Sequence, residues 1–570
     1  MSRAVAVAAL VVVAALGPAT PGGLTAAGQE AQLTAGGQHP GGPGVVAGEA
    51  GVPAPGGNGT VAVAAVYPNP VADGDRGEFV VLDVPPGTAL GAYLLGDDEE
   101  VASLPNVTAT GRVAVTAAPA LVRNLTDAEV VEAGLPALAN GGEPLRVTRA
   151  GTTVATARYR DAPEGEIGSF DDRGTVQWRP LGRTDLPVVT ASGGRVRAFV
   201  LPDAPAVPVE TLRRADRRVL LAGYTFTSER VTRELVRATE RGVDVRVLLE
   251  GNPVGGISRR EARLLDRLTA AGVSVRMLGG PRGRYAFHHA KYVVVDGRAV
   301  VLTENWKPAG TGGRASRGWG AVVGQERVVD GLARTFRADE NWTGATPWTE
   351  FRRGRSFTAG GTANGSYPGT RGPETVPVER TRLLVAPDNA GREVVRVVDG
   401  ATESVDVVQM RIDGPDQRFL RAVVRAARRG VDVRVLLSSA WYVREENARL
   451  VDHLRERADS EGLPIEAKLA DPRGRYEKVH AKGMVVDGDQ VLLGSLNWNG
   501  ESVRENREVL LLLEGEDVGA YYEEAFDADW GSESPSLPLG GAAAVAGVVA
   551  LAVLVLRRVE FGPGVGVDPR

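Results

Sequence analysis

RGVDVRVLL, Arg241 to Leu249, returns letter for letter as Arg429 to Leu437. Each copy follows an amphipathic stretch, SERVTRELVRATERG (Ser228 to Gly242) and QRFLRAVVRAARRG (Gln417 to Gly430). Apolar residues recur there at helical spacing, and the β-branched run VDVRVLL then reads as a buried strand. A second pair of matching words, PRGRY at Pro281 to Tyr285 and again at Pro472 to Tyr476, keeps nearly the same register. The repeat is too long for a solenoid and signals duplication of a whole domain. Helix followed by strand, twice over, predicts an α/β fold of two facing lobes whose β-sheets are flanked by helices.

Both halves converge on a short cassette. In the first it is HAKYVVVD, His289 to Asp296, followed by Thr303 and Asn305; in the second it is HAKGMVVD, His480 to Asp487, followed by Gly494, Ser495 and Asn497. The chain holds only five histidines, and its lysines are Lys291, Lys307, Lys468, Lys478 and Lys482. Paired His-x-Lys words therefore stand out against an arginine-rich background. Side chains two apart on a strand share a face, so His289 lies with Lys291 and His480 with Lys482. Asp296-Gly297 and Asp487-Gly488 suit hairpin turns that return the chain as a neighbouring strand. The reading predicts that each hairpin presents an imidazole, an ammonium, a hydroxyl (Thr303 or Ser495) and an amide (Asn305 or Asn497) to one spot. Asp296 and Asp487 fall at odd positions from their histidines and read as turn formers. His288 points opposite to His289 and reads as packed.

These cassettes fit H-x-K-x4-D, and the second continues into G-S-x-N, so the chain from about Gly194 to Trp530 resembles the phospholipase D superfamily. The resemblance implies phosphodiester chemistry. One imidazole attacks phosphorus and forms a phosphohistidine. The other protonates the leaving alcohol and later activates water or an acceptor alcohol. Lys291, Lys482, Asn305 and Asn497 stabilise the phosphoryl oxygens. No metal or other cofactor is expected, because no His/Cys/Asp cluster has ligand spacing. The first cassette departs from the pattern, being one residue shorter before its Asn and carrying Thr303 in place of Gly-Ser. The resemblance also implies that Glu508, in Asn506-Arg507-Glu508, orients the nearby histidine, whereas Ser316-Arg317-Gly318 offers no carboxylate in the first half. On that asymmetry His480 is the expected nucleophile and His289 the acid.

Outside the repeat the chain changes character. Residues 1–27 have the layout of a signal peptide, one basic residue before the apolar run Ala4 to Leu16, with an uncleaved anchor as the alternative. Residues 28–58 are a Gly/Pro/Ala-rich linker. Residues 59–190 alternate in short runs separated by turn residues and predict a small β-sandwich. Within it VYPNPVADGDRGEFVVL, Val66 to Leu82, resembles the opening of lamin-tail domains, and that resemblance implies an immunoglobulin-like module. The lobes are expected at 193–346 and 379–530, joined by a linker at 347–378. Residues 537–556 carry no charge over a length that matches a bilayer core and predict a transmembrane helix. Arg557 and Arg558 follow, which puts the tail 557–570 in the cytoplasm and the lobes outside the cell membrane.

The net charge of −5 argues against a generally basic, nucleic-acid-coating surface, and the absence of cysteine removes disulfides and thiolate chemistry. Three functions remain open on sequence alone. The first is hydrolysis or transfer of phospholipid head groups, the second an extracellular nuclease, and the third a non-catalytic phosphate-binding protein. They are ranked in that order.

Overall fold

The structure is a computed structural model that describes residues 59–531, apart from positions 73, 172, 281 and 501. The expected signal peptide, the first linker and the apolar segment 537–556 lie outside the described residues. Among the described residues no helix is long and apolar enough to cross a membrane.

The duplication is written into the sheets. In the first lobe the strands Arg195–Leu201, Ser316–Val323, Arg298–Leu302, Tyr292–Val295, Arg218–Gly223, Asp244–Glu250 and Ser274–Leu278 lie side by side in that order. In the second, Arg380–Ala386, Glu508–Glu514, Gln490–Gly494, Lys482–Val486, Ser404–Gln409, Asp432–Leu437 and Ile465–Leu469 repeat it. The repeated words are the parallel strands Asp244–Glu250 and Asp432–Leu437, whose central residues are buried. The helices before them bury one stripe each. Glu229–Glu240, started by Ser228 accepting from the Val231 amide at 3.3 Å, turns Val231, Leu235 and Ala238 inward. Val231 and Leu235 each contribute on the order of 1.5–3 kcal/mol of burial, which outweighs the weak helix propensity of the valines and threonines.

The cassettes form the expected hairpins, and their difference in length is absorbed by the turns. Val295 pairs with Arg298, leaving two residues in the first turn, whereas Val486 pairs with Gln490 and leaves three. Asp296 and Asp487 adopt left-handed backbone at φ 52° and 49°. Their carboxylates accept from the amides of Asp216, Arg217 and Arg218, and of Thr402, Glu403 and Ser404. Burial would raise both carboxyls and is the largest single influence, but these bonds together hold them below their ordinary range.

The lobes share one core and exchange edges. Val200, Trp319 and Phe336 of the first pack in one cluster with Val485, Leu511 and Tyr522 of the second. Val189–Ser192, which precedes the first lobe, pairs with Arg380–Ala386 of the second. Glu374–Pro377, within the stretch read as linker, pairs with Arg195–Leu201 of the first. N-terminal to the lobes, a six-stranded and a four-stranded sheet enclose a core that includes Val66, Leu82, Leu95 and Val147. This β-sandwich meets the second lobe through Glu166, whose carboxylate receives Arg504 at 2.5 and 2.6 Å.

Candidate active site

The two cassettes meet across the lobe boundary, and the backbone does the joining. The His289 amide donates to the Arg507 carbonyl at 3.0 Å, and the His480 amide to the Arg317 carbonyl at 2.9 Å. Each histidine segment thus pairs alongside the chain of the opposite lobe. Both arginines are buried anchors. Arg507 binds Asp339, Asp388 and the Tyr285 hydroxyl, while Arg317 binds Asp203 at 2.5 Å and Asp529 at 2.8 Å. Tyr285 and Tyr476, the final letters of the two PRGRY words, lie under these guanidinium groups at 4.7 and 4.8 Å. The second recurring word therefore builds the floor of the interface. His288 is buried beside Asp339 at 3.5 Å and takes no place among the reactive groups.

The exchange overturns the expected partner of Glu508. Its carboxylate lies 2.9 and 3.0 Å from His289 Nδ1, in the other lobe, and also receives the Asn506 amide at 3.1 Å. The sequence placed it beside His480 because both stand in the same half of the chain. A strand register that crosses between lobes is invisible at that level. With Nδ1 held by a carboxylate, His289 keeps its proton there and turns a free Nε2 lone pair outward. Burial lowers its pKa to about 4, opposed by Glu508 and reinforced by Lys291. The imidazole is neutral at pH 7. Burial would raise the Glu508 carboxyl, but His289 and Lys291 leave it below its ordinary range.

His480 has its own carboxylate, which sequence reasoning missed. Glu304 Oε1 lies 3.3 Å from His480 Nδ1. Strand order matches Gly318 to Glu508, so the first lobe lacks a carboxylate at that position. A Cβ on Gly318 would stand 2.3 Å from Glu304 Cγ, and one on Gly310 would stand 2.5 Å from Glu304 Oε2. Glu304 fills the space that a residue-318 side chain would otherwise use. The signal was present as a glycine opposite a glutamate. Parity hid it, because on a regular strand Glu304 faces away from Thr303 and Asn305. The strand ends at Leu302, however, and the backbone bends beyond it. Burial pushes the Glu304 carboxyl up to about 7, against Lys482, Lys307, Lys478 and Lys291.

The lysines flank the histidines as expected. Lys291 Nζ donates to the His289 carbonyl at 2.5 Å, and Lys482 Nζ to the His480 carbonyl at 2.8 Å. Burial brings Lys482 to about 8 and holds Lys291 well below its ordinary value. Burial and then Lys482, Lys307 and Lys291 hold His480 well below the usual imidazole range. Asn305 and Asn497 are buried, and their amide oxygens have no partner among the described residues. The Thr303 and Ser495 hydroxyls accept from the Trp319 amide at 2.9 Å and the Val509 amide at 3.0 Å, which ties strands together beneath the site. Tyr224 closes the His289 side, 4.8 Å from that ring and 5.7 Å from Phe287.

Fold and site together define two duplicated α/β lobes sharing one cluster of His, Lys and carboxylate. Residues 209–340 and 394–530 match the family described as cardiolipin synthase, PLD-like domain. The chain is 31% identical over 149 residues to the mitochondrial cardiolipin hydrolase of Xenopus tropicalis. It is 34% identical over 119 residues to cardiolipin synthase A of Pseudomonas syringae pv. syringae (strain B728a). These stretches cover 26% and 20% of this chain, and 65% and 23% of those relatives' own lengths. Among solved structures, the phosphatidylserine synthase of Haemophilus influenzae Rd KW20 is similar at a TM-score of 0.45 and 13% identity, over 60% of this chain and 87% of that one.

Proposed function

We propose that the protein is a phospholipase D-type phosphodiesterase or phosphatidyltransferase acting on phospholipid through a phosphohistidine. The observation that carries the reading is the crossed pair His289–Glu508 and His480–Glu304. His289 has a buried carboxylate hydrogen-bonded at Nδ1, and His480 has one facing its Nδ1 at 3.3 Å beside Lys482 Nζ at 3.2 Å, an arrangement suited to a two-step transfer through one nucleophile and one acid.

In the first step His289 Nε2 attacks phosphorus. The N–P bond forms, the ester P–O bond breaks, and His480 delivers its proton to the departing alkoxide. The resting His480 is neutral, so it takes that proton up when the anionic phosphodiester enters and offsets the surrounding ammonium charge. In the second step water or an acceptor alcohol gives its proton to His480 and attacks the phosphohistidine, which restores His289. Lys291, Lys482 and the Asn305 and Asn497 amides stabilise charge on the non-bridging oxygens. Glu508 at His289 favours His289 as nucleophile, the reverse of the order expected from sequence.

Lipid is favoured over nucleic acid by the net charge of −5 and by the exposed pair Trp441 and Tyr442 on the loop after Asp432–Leu437. Trp441 is 88% exposed, an unusual state for a tryptophan without an apolar surface to meet. The relatives' names, cardiolipin hydrolase and cardiolipin synthase, support the same substrate class. The reading further includes export by the N-terminal segment, single-pass anchoring by residues 537–556 with the lobes outside, and a lamin-tail-like role for the sandwich as a binding module. The test is to offer the full-length protein, in detergent, phosphatidylcholine, phosphatidylglycerol and single-stranded DNA side by side. Release of head group from lipid is expected. Cleavage of DNA alone would establish the nuclease reading, and binding without turnover of any would establish the non-catalytic one.

A further inference from the structure

The segments that lead into the two lobes each leave a threonine on the same kind of partner. Thr184 lies between the last sandwich strand, Val176–Pro180, and Val189–Ser192. Thr370 lies between the short helix Trp348–Phe351 and Glu374–Pro377. In each lobe a Pro-Asp pair follows the first strand, giving Asp203 after Arg195–Leu201 and Asp388 after Arg380–Ala386. Thr184 donates to Asp388 through its amide at 2.6 Å and its hydroxyl at 2.7 Å. Thr370 donates to Asp203 in the same way, at 2.8 and 2.7 Å. The service is crossed. Thr184 precedes the first lobe and binds an aspartate of the second, while Thr370 precedes the second lobe and binds an aspartate of the first.

These aspartates hold the buried anchors, Asp388 with Arg507 at 3.0 Å and Asp203 with Arg317 at 2.5 Å. The anchors in turn hold the reactive backbone, since their carbonyls accept the His289 and His480 amides. On the His289 side the grip is double. Arg507 fixes the His289 amide, and the next residue, Glu508, fixes its ring at 2.9 Å. The Thr184 hydroxyl also accepts directly from Arg507 Nη2 at 2.9 Å. Thr184 is half-buried, whereas Thr370 is exposed and reaches Arg317 through Asp203. A hydroxyl bonded to charged groups in a partly dry setting contributes more than one facing water, so Thr184 has the larger effect.

We infer that Thr184 and Thr370 are positioning residues for the two histidines, Thr184 for His289 and Thr370 for His480. Neither side chain touches substrate. The stretch joining the sandwich to the lobes thereby takes part in the covalent step, and the stretch joining lobe to lobe takes part in the proton transfer. The inference rests on the two-histidine phospholipid reading above and adds what aligns each histidine.

The test uses full-length Thr184→Val and Thr370→Val, which remove a hydroxyl and keep its shape, beside Thr184→Ser and Thr370→Ser. The substrates are phosphatidylcholine and phosphatidyl-p-nitrophenol, which differ only in whether the leaving group needs a proton. The first readout is the rate of phosphoenzyme formation. Thr184→Val should slow it about tenfold with both lipids, the lower end of what a hydrogen bond to a charged group contributes. Thr370→Val should slow it about threefold with phosphatidylcholine and leave phosphatidyl-p-nitrophenol unchanged. The serine variants should stay within about twofold of wild type. The second readout is the imidazole NMR spectrum of histidine-labelled protein, assigned with His289→Ala and His480→Ala. Thr184→Val should move the His289 signals most, and Thr370→Val those of His480. Unchanged rates and spectra in both valine variants overturn the inference. So does a loss shared by both lipids in both variants without the selective shifts, which is general destabilisation. Leaving-group dependence in Thr184→Val instead of Thr370→Val keeps the positioning and exchanges the roles of the histidines. Selective shifts in a protein that turns over neither lipid keep the positioning and remove the phospholipid reading.

Discussion

Replacing Glu304 by leucine, the residue at the matching position 496, removes the carboxylate facing His480 without leaving a void. Glu304 Oε1 is 3.3 Å from His480 Nδ1 in a fully buried setting. At an effective dielectric near 20, a full charge pair at about 4 Å is worth about 4 kcal/mol. Burial holds the Glu304 carboxyl near 7, so at neutral pH the group is only partly ionised and the useful part is about 2–4 kcal/mol. The expected fall in kcat is therefore roughly 30- to 1000-fold. It should be largest for substrates with alkyl leaving groups and small for p-nitrophenyl esters, which need no proton. Neither Glu304 oxygen has a hydrogen-bond partner among the described residues. The buried ammonium groups of Lys482 and Lys307 nevertheless depend on this carboxylate, so folding stability in Glu304→Leu should fall. The structure also dictates a rescue. Gly318→Glu alone should damage the protein, since its Cβ meets Glu304 at 2.3 Å. With Glu304→Leu in the same chain, the new carboxylate takes the strand position that Glu508 holds on the other side. The double variant should recover kcat to within about tenfold of wild type for the alkyl substrate. A Glu304→Leu enzyme within twofold of wild type on that substrate would refute the reasoning, as would a double variant no better than the single.

Other expectations follow from the same geometry. Lys482 carries its charge below about pH 8 and loses it above, so inhibition by inorganic vanadate should weaken as pH rises through 8. Lys482→Arg should hold it constant, and a wild-type profile flat to pH 10 would contradict the assignment. Asp487 accepts three amides at a left-handed position, so Asp487→Ala should cost about 2–3 kcal/mol of stability while Asp487→Asn costs less, read by urea denaturation. The depressed Asp487 carboxyl contributes stability above its unfolded value near 3.9, and that contribution should vanish as pH falls through the lower folded value. Turnover should survive dialysis against chelator, because Lys291, Lys482, Asn305 and Asn497 supply the donors that the phosphoryl oxygens need. Loss with EDTA and recovery with a divalent ion would show otherwise.

What the sequence revealed and what it hid divide along one physical line. Features set by local periodicity were legible. The paired His-x-Lys faces, the Asp-Gly turns and the helix-then-strand repeat all depend on neighbours within a few residues. Features set by the meeting of the lobes were not. Glu508 was matched to the wrong histidine because the His289 and His480 segments each pair with a strand of the other lobe. Val189–Ser192 and Glu374–Pro377 read as ends of neighbouring segments because their partners are nearly 200 residues away in the chain or across the lobe boundary. Glu304 was hidden by strand parity, which fails where the strand ends.

The central claim is that both lobes serve one reaction, with His289 forming the covalent bond and His480 moving the proton. Trapping the intermediate tests it most directly. Full-length His480→Ala and His289→Ala proteins are mixed with a p-nitrophenyl phosphodiester, quenched at alkaline pH to preserve a phosphoramidate, digested and mapped by mass spectrometry. The account predicts phosphoryl label on the peptide containing His289 in the His480→Ala protein, and none in His289→Ala. Label on His480 in the His289→Ala protein, with none on His289, would contradict it.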